Sequence, residues 1–455
     1  MNATRVSRST EILWSSGSIA TGAVFNAMAL FALFYMTSIL GIAPAVAGAL
    51  IFITKLYDAV TDPLMGAISD RTRHRLGPRR PYLLVGSVAL AISVAAFFSL
   101  PVLEGTPMLL LVTLALLLYS TSYTIFAVPY LAMPPSIAPT YDARTRLMSF
   151  RVAFLIFGVL IGSAGGPRIV QAGGEGRGGY VMLGIVMGAL VLVGGALAFF
   201  GTRRVIESVP DDAQSGSLTN WRAGLTQIHS IFSHAPFRLL TIVKLLQLAV
   251  LALALACTPY FFRLVLERSI GDITAYLTTF SLTGLASIFF WRWAISRFGK
   301  HRIYVISITL YALAMASWML WQPGESEVFF YGRAVWIGIV SNGTLLCALA
   351  LLPDTMEYDR LMSGDNRSGI MSGVFTTVEK IAGALGPLII GVMLQATGLI
   401  TGPGTPEQPP EALFAVRLGI SIVPAIICLA AVPFLLRYGL TEERLNALRD
   451  GRAGS

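Results

Sequence analysis

The sequence predicts an all-α membrane protein in which twelve transmembrane helices form two six-helix halves. Three observations lead to this fold class: the composition, the number of long apolar segments and the placement of the basic residues. Hydrophobic residues make up 55% of the 455 residues and charged residues only 13%, and the mean hydropathy is +0.71. A soluble globular protein carries about 25% charged residues, so this chain has too little polar surface to cover a soluble particle.

The apolar segments define the elements in chain order. A helix needs about 20 mostly apolar residues to cross the hydrocarbon core of a bilayer. Twelve segments meet this requirement, and Ser, Thr or Gly residues lower the apolar character of the first, seventh and eleventh. The predicted spans are 13–40, 45–68, 81–101, 107–131, 147–170, 178–200, 236–262, 272–292, 302–322, 328–352, 369–396 and 412–437.

The basic residues indicate an orientation. Of the 33 Lys and Arg residues, 23 fall on the side of the N-terminus and six on the opposite side. Because cytoplasmic loops carry the excess of Lys and Arg, we expect a multi-pass protein of the cell's inner membrane with both termini in the cytoplasm. The same rule accounts for the net charge of +9, so we expect the lipid bilayer, and no nucleic acid, as a partner.

The longest polar stretch separates the sixth span from the seventh. It predicts an N-terminal half at 1–202, a cytoplasmic linker at 203–235, a C-terminal half at 236–439 and a cytoplasmic tail at 440–455. A weak internal repeat supports two related halves, because Gly66-Ala-Ile-Ser-Asp70-Arg71 follows the second span and Ser296-Arg297-Phe298-Gly299-Lys300 follows the eighth.

The first of these two loops resembles the loop 2–3 motif of the major facilitator superfamily, whose two halves hold substrate near the membrane midplane. The resemblance implies a charge-paired latch, or gate, between cytoplasmic helix ends, with a glycine that permits close helix approach. The residues expected in this gate are Gly66, Asp70, Arg71 and Arg297.

The second span carries four polar side chains on one face. Lys55, Asp58, Thr61 and Asp62 are spaced i, i+3, i+6 and i+7, within two turns of a helix. Pro63 follows and removes an N–H donor, which frees a backbone carbonyl. A carboxylate at bilayer depth is costly and normally faces a partner or a cavity. The set predicts an all-oxygen site for Na⁺, or a carboxylate pair that shares a proton.

An ion pair between Lys55 and Asp58 that only holds helices together is the simpler explanation. Two acids beside one Lys leave a negative charge uncompensated, which favours the cation site. In the eleventh span, Lys380 is expected to face the cavity and to balance a second-span carboxylate. A pair with Glu379 is the alternative, but adjacent helical residues point about 100° apart, and Glu379 is assigned no role.

Other polar residues inside the spans are weaker candidates for the lining of a cavity. Singly, each is more often a helix–helix hydrogen bond. They are Asn26, Tyr119, Tyr123, Thr124, Gln247 and Asn342. The sequence contains no Walker A string and no selectivity filter, so we expect neither an enzyme nor an ATP-driven pump, and no cofactor beyond a coupling ion.

Several strings carry a family resemblance that covers essentially the whole chain. They are Tyr57-Asp58-Ala-Val-Thr-Asp62-Pro63-Leu-Met-Gly66, Arg73-His-Arg75-Leu-Gly77-Pro-Arg79-Arg80-Pro81-Tyr82, Val128-Pro129-Tyr130, and the segment from Asp354 to Lys380. The chain resembles the glycoside–pentoside–hexuronide:cation symporter family, the melibiose permease-like branch of the major facilitator superfamily. The resemblance implies the major facilitator fold and cation-coupled transport of a sugar.

The resemblance also implies site residues. The family's cation site falls on Asp58, Thr61, Asp62 and Thr124, and its span 11 lysine falls on Lys380. Thr61 stands where the melibiose permease has Asn, so Na⁺ and H⁺ both remain open as coupling ions.

The sugar side departs from the family pattern. The sugar-binding arginine falls at or beside Arg151. Gly22, Ala127 and Leu131 stand where the permease has two sugar-binding aspartates and a tryptophan. The resemblance therefore implies a substrate other than an α-galactoside.

We therefore expect a monomeric symporter that couples uptake of a sugar or glycoside to Na⁺ or H⁺ by alternating access. The expected substrate cavity includes Asn26, Tyr123, Arg151 and Asn342. The alternative is a cation-coupled transporter of a lysolipid or other amphiphilic solute, because the animal lysolipid transporters share the Asp-x-x-x-Asp-Pro span and the span 11 lysine. A non-transporting receptor or scaffold is a third hypothesis, against which the intramembrane acids argue.

Overall fold

The computed structural model describes residues 8–138, 140–203, 205, 230–365, 367–403, 407–440, 445, 447 and 448, without the side chains of 141 and 142. Twelve helices in the described residues are long and apolar enough to cross a membrane. They are α1 (Arg8–Ile39), α2 (Pro44–Arg71), α3 (Arg80–Phe98), α4 (Thr106–Ile137), α5 (Ala143–Ala172), α6 (Arg177–Gly201), α7 (Ala235–Val265), α8 (Asp272–Phe298), α9 (Lys300–Leu320), α10 (Glu327–Ser363), α11 (Ser368–Ala396) and α12 (Pro410–Leu436). The predicted all-α fold with twelve spans is confirmed.

Some spans are interrupted. α1, α5 and α7 each contain one π-helical turn, at Tyr35–Ile39, Ile161–Gly165 and Phe261–Val265, and α12 is divided at Ser421. A π-turn accommodates one extra residue per turn and is common at functional positions. Most of the predicted linker and tail lies outside the described residues, at 204, 206–229 and 441–444 among others.

The chain divides into two compact units. The first unit comprises Met1–Gly216 with the short segments Glu267–Ala275 and Leu399–Gln408. The second unit comprises Ser217–Leu266, Tyr276–Gly398 and Pro409–Ser455. Helices α1–α6 thus belong to the first unit and nearly all of α7–α12 to the second, while the predicted boundaries of the halves stay a prediction.

An aromatic cluster fixes α4 against α1 in the first unit. Trp14 and Tyr130 stack with their ring centroids 4.5 Å apart, and Phe126 stacks on Tyr130 at 5.6 Å. The Tyr130 hydroxyl lies 2.8 Å from the Ser18 hydroxyl and donates to the Trp14 carbonyl at 3.0 Å. Because these groups are buried, the cluster sets the position of α4, which carries half of the candidate site.

Small residues bring α1 and α5 into close contact. A Cβ atom placed at Gly22 would lie 2.8 Å from the carbonyl oxygen of Leu155, and one placed at Gly162 would collide with the carbonyl of Ala23. Helix association in lipid relies on such close approach of backbones. The two helices can therefore keep this distance only while these positions lack a side chain.

A buried hydrogen-bond network connects three helices of the second unit. The Tyr304 hydroxyl of α9 donates to the Gln247 side-chain oxygen of α7 at 2.6 Å, and the Gln247 amide donates to Thr344 of α10 at 3.1 Å. All three side chains are buried. Gln247 thus has the helix–helix role that isolated polar residues usually have in a membrane.

Ion pairs tie helix ends together in each unit. Glu11 of α1 is buried and accepts two hydrogen bonds from Arg146 of α5, at 2.6 and 2.8 Å. In the second unit, Asp359 of α10 is buried and accepts two from Arg367, at 2.7 and 3.0 Å. Such bidentate pairs are among the stronger polar contacts in proteins.

We predict that Gly162→Ala destabilises the protein, because the added methyl group collides with the α1 backbone. Overpacking of this kind costs about 1–3 kcal/mol. Gly165→Ala is the matched control, since a Cβ there meets its nearest neighbour at 3.9 Å. The melting temperatures of both purified variants in detergent provide the measurement. Equal melting temperatures would contradict the close approach of α1 and α5.

Candidate functional site

The two faces of α2 differ sharply. One face exposes large apolar side chains, which are Ile53, Leu56, Val60, Leu64 and Ile68. The opposite face contains the buried residues Thr54, Asp58, Met65 and Ser69. Asp62 follows Asp58 by four residues and is therefore on the same side as Asp58. The acidic face of α2 thus turns away from the exposed apolar face.

Asp58 has two partners in the structure. Lys55 Nζ donates to Asp58 Oδ2 at 2.9 Å, and the Ser120 hydroxyl of α4 donates to Asp58 Oδ1. The Asp58 side chain is 7% exposed and that of Lys55 is 21% exposed. The ion pair that the simpler explanation requires is therefore present, and Asp58 has in addition a hydroxyl donor from a second helix.

Asp62 and Thr124 meet as the family resemblance implies. Thr124 Oγ1 donates to Asp62 Oδ1 at 2.8 Å. The bonds that the two carboxylates of α2 accept from α4, Asp58–Ser120 and Asp62–Thr124, both join residues 62 positions apart in the chain. Since four helical residues rise about 6 Å, the bonds form two successive rungs between helices that run in the same direction.

Ser120 is a site residue that sequence reasoning missed. It lies four residues before Thr124, just as Asp58 lies four residues before Asp62. That matching interval was the available signal, but a Ser in an apolar helix usually bonds to its own backbone. Only the register of α2 against α4 distinguishes the two possibilities.

Thr61 makes a hydrogen bond within its own helix, and its predicted part in the cation site stays a prediction. Its hydroxyl donates to the carbonyl of Tyr57 on the same helix, at 3.1 Å. The Tyr57 hydroxyl in turn lies 2.9 Å from the Thr121 hydroxyl of α4. The oxygens gathered along this pair of helices are therefore those of two carboxylates and several hydroxyls, which is a donor set that suits a small hard cation or a proton.

Aromatic rings border the carboxylates. Lys55 Nζ lies 5.8 Å from the Tyr119 ring centroid and 6.0 Å from that of Phe25. The rings of Tyr119 and Tyr123 are 6.1 Å apart. The face next to the acidic pair thus combines one cation with three aromatic rings, and rings of this kind form cation–π contacts.

Two predicted cavity residues of the first unit lie on α1 and α5. The Asn26 amide donates to the Gly22 carbonyl at 3.0 Å, so part of its hydrogen-bonding capacity serves its own helix. Arg151 of α5 is partly buried, and its Nε atom has no hydrogen-bond partner among the described residues. A buried donor without a partner is costly, which makes Arg151 a candidate for contact with a substrate.

The positions of the family's sugar-binding acids are apolar here. Gly22 is buried where α1 and α5 are in contact, and a side chain there would strike the backbone of Leu155. Ala127 is 8% exposed, and Leu131 is 50% exposed. The structure at Gly22 leaves no room for a carboxylate, which agrees with the departure noted from the sequence.

In the second unit, Glu379 of α11 pairs with a buried lysine of α7. The Glu379 carboxylate of α11 lies 3.3 Å from Lys244 Nζ of α7, and the Lys244 side chain is 1% exposed. Lys380 is partly buried on α11, and its predicted pairing with a carboxylate of α2 stays a prediction. Asn342 of α10 contacts Gly284 of α8, where an added Cβ would collide with its amide nitrogen.

Of the predicted gate residues of the first unit, Asp70 forms an ion pair, and the gate itself stays a prediction. Asp70 pairs with Arg79 at 2.7 Å, and Arg79 also donates to the Ala132 carbonyl at 2.7 Å. Arg71 is exposed, and a Cβ at Gly66 would meet Val128 at an ordinary 3.8 Å. Arg79 is therefore the ion-pair partner of Asp70 in this structure.

The second unit also has an ion pair between two helices at the ends that carry the predicted gate. Lys300 at the start of α9 donates to both carboxylate oxygens of Asp354 on α10, at 2.6 and 2.9 Å. Arg297, the predicted gate residue, is exposed at the end of α8. Arg79, just before α3, thus bonds to α4, and Lys300, at the start of α9, bonds to α10.

Comparison with solved structures identifies the fold. A bacterial homologue of the human lysosomal transporter Spinster, in an inward-facing conformation, aligns with 96% of this chain and 98% of its own, with a TM-score of 0.71 at 13% identity. At that identity the likeness shows the fold alone, which is the major facilitator fold. The predicted fold class is confirmed.

Sequence comparison identifies the family. A protein of Escherichia coli K12 provisionally named the glycoside/cation symporter YagG is 25% identical, over 98% of this chain and 95% of its own. A protein of Salmonella typhimurium provisionally named a sulfoquinovose importer is 27% identical, over 91% of this chain and 86% of its own. Residues 13–442 match the MFS/sugar transport protein family, and the chain therefore belongs to that family of multi-pass membrane transporters.

Proposed function

We propose that this protein is a secondary active symporter that couples uptake of a sugar or glycoside, other than an α-galactoside, to Na⁺ or H⁺. The observation that carries the proposal is the pair of rungs between α2 and α4. Two aspartates one helical turn apart, each bonded to a hydroxyl of the neighbouring helix, lie within the apolar spans. A carboxylate at this depth in the membrane costs free energy to bury, and the binding of a coupling cation is a function that accounts for its presence.

The relatives support the coupling and the chemical class of the substrate. One is provisionally named a glycoside/cation symporter and another a sulfoquinovose importer, and both align with most of this chain. The excess of basic residues on one side supports an inner-membrane protein with cytoplasmic termini.

The coupling step follows from the cost of bare charge. A carboxylate without a cation resists transfer into a water-free environment, whereas a carboxylate neutralised by Na⁺ or H⁺ does not. Lys55 provides an internal counter-ion for Asp58 in the cation-free state. Binding of the coupling cation then competes with Lys55 for the Asp58 carboxylate, and the loaded protein changes its conformation to expose the site on the other side of the membrane.

The substrate would contact polar and aromatic groups beside the acids. Tyr123 is partly exposed and offers a ring face, and Arg151 offers a guanidinium group whose Nε has no hydrogen-bond partner among the described residues. Ligand sites combine apolar and aromatic walls with a few polar groups that fix orientation. This composition suits a sugar ring, which has an apolar face and hydroxyl edges.

A thermal-stability screen of the purified protein tests the proposed function. A ligand that binds only the folded state stabilises it by about 2.7 kcal/mol at 100 times its Kd. We expect stabilisation by a mono- or disaccharide or a uronate, and a larger effect in Na⁺ than in choline buffer if Na⁺ is the coupling ion. Stabilisation by lysophospholipids alone, with every sugar inert, would contradict the proposal and favour the amphiphile alternative.

The acidic pair is tested by substitution. We predict that Asp62→Asn abolishes both the rise in melting temperature caused by Na⁺ and concentrative uptake, because the amide cannot neutralise a cation. Glu104→Gln is the control, since it removes an exposed carboxylate that lies outside the spans and outside the gate. If the cation effects in Asp62→Asn equalled those of the wild type, the assignment of Asp62 to the cation site would be wrong.

Substitution of Lys55 is expected to strengthen cation binding, whereas substitution of Asp62 is expected to abolish it. We expect Lys55→Gln to lower the Na⁺ concentration needed for half-maximal stabilisation by about tenfold, because removal of a neighbouring cation of this kind changes binding by about 1.4 kcal/mol. Lys55→Arg keeps the charge and serves as the control. Na⁺ titrations of the melting temperature measure both, and weaker Na⁺ binding by Lys55→Gln would contradict the competition.

A further inference from the structure

We infer that a groove on the second unit is a binding site for one anionic phospholipid, with an acyl chain in the groove and the phosphate at Arg302. The groove has a volume of about 470 Å³ and lies between α8, α9 and α10. Its walls are almost entirely apolar. The residues on which the argument depends are Trp291, Trp293, Phe298, Arg302, Ile306 and Trp336.

The groove is held open by a fixed tryptophan. Trp291 Nε1 donates to the Ile339 carbonyl of α10 at 2.7 Å, which ties α8 to α10. Gly343 lies against the Trp291 ring, where a Cβ would be 2.7 Å from ring atoms. Because Trp291 is 3% exposed and bonded, its position does not depend on an occupant, and the groove exists before a ligand binds.

The surroundings of the groove indicate that it opens to lipid. Neighbouring side chains on the same helices are apolar and well exposed, with Phe289 at 79%, Trp293 at 56% and Ile306 at 49%. A volume of 470 Å³ has room for about 15 water molecules at about 30 Å³ each. Water needs polar partners, and these walls offer almost none. A hydrocarbon chain is the occupant that matches them.

The positive charge at one end of the groove favours a lipid with an anionic headgroup. Arg302 lines the groove and is exposed near the start of α9, and Arg297 is exposed at the penultimate position of α8. From Arg302 to Leu310, at the far end of the α9 wall, the helix rises about 12 Å, so the groove leads from the basic helix ends toward the middle of the membrane. An Arg side chain binds phosphate oxygens through two parallel hydrogen bonds. A lipid with net negative charge is therefore complementary to this end.

Native mass spectrometry of the purified full-length protein tests the site. The probes are dioleoyl phosphatidylglycerol, which is anionic, and dioleoyl phosphatidylcholine, which is zwitterionic. We expect one phosphatidylglycerol to remain bound at detergent concentrations that remove phosphatidylcholine. Arg302→Gln should lower the relative affinity for phosphatidylglycerol about fivefold, while Arg360→Gln, an exposed cation on α10 away from the groove, should leave it unchanged.

A second pair of variants tests the groove itself. Ile306→Trp fills it, whereas Leu313→Trp changes a residue on the same helix that is 53% exposed and does not line it. We expect only Ile306→Trp to reduce retention of phosphatidylglycerol. Equal retention in both Trp variants, or equal retention of the two lipids by the wild type, would overturn the proposal. A dimer that Ile306→Trp disrupts, with lipid binding unchanged, would assign the groove to a second copy instead.

Discussion

The structure depends on one constraint: a carboxylate inside a bilayer must find its partners within the protein, because lipid offers none. Asp58 and Asp62 lie on the face of α2 that turns away from exposed apolar side chains, and each accepts a hydrogen bond from a hydroxyl of α4. These bonds fix the register of the two helices over one helical turn. The Trp14–Tyr130 stack then fixes α4 against α1. The hydrogen bonds that stabilise the two carboxylates inside the membrane also fix the positions of their oxygen atoms.

The intramembrane acids differ from the ion pairs at helix ends. Glu11 and Asp359 are buried and receive bidentate bonds from Arg146 and Arg367, which is a strong and static arrangement. Asp58 instead shares a Lys and a hydroxyl. Hydroxyls can reorient when a cation arrives, whereas a guanidinium fork cannot release a carboxylate without a large cost. The partners of Glu11 and Asp359 are therefore of a different chemical type from those of Asp58 and Asp62, and this difference is what the proposed exchange of ions requires.

Close helix packing also bears on specificity. At Gly22 the backbone of α5 occupies the space that a side chain would need. A side chain at this point would force α1 and α5 apart. The close helix contact therefore excludes a carboxylate at Gly22, whichever substrate the protein carries.

The sequence by itself determined the twelve spans and the acidic face of α2, because hydropathy and helical periodicity are local properties of the chain. Only the tertiary structure decided which hydroxyls reach the acids. Ser120 bonds to Asp58 and Thr61 turns to its own helix, since the register between two helices depends on packing that no local pattern encodes. For the same reason Arg79 rather than Arg71 pairs with Asp70, and Glu379 finds Lys244 across a helix interface.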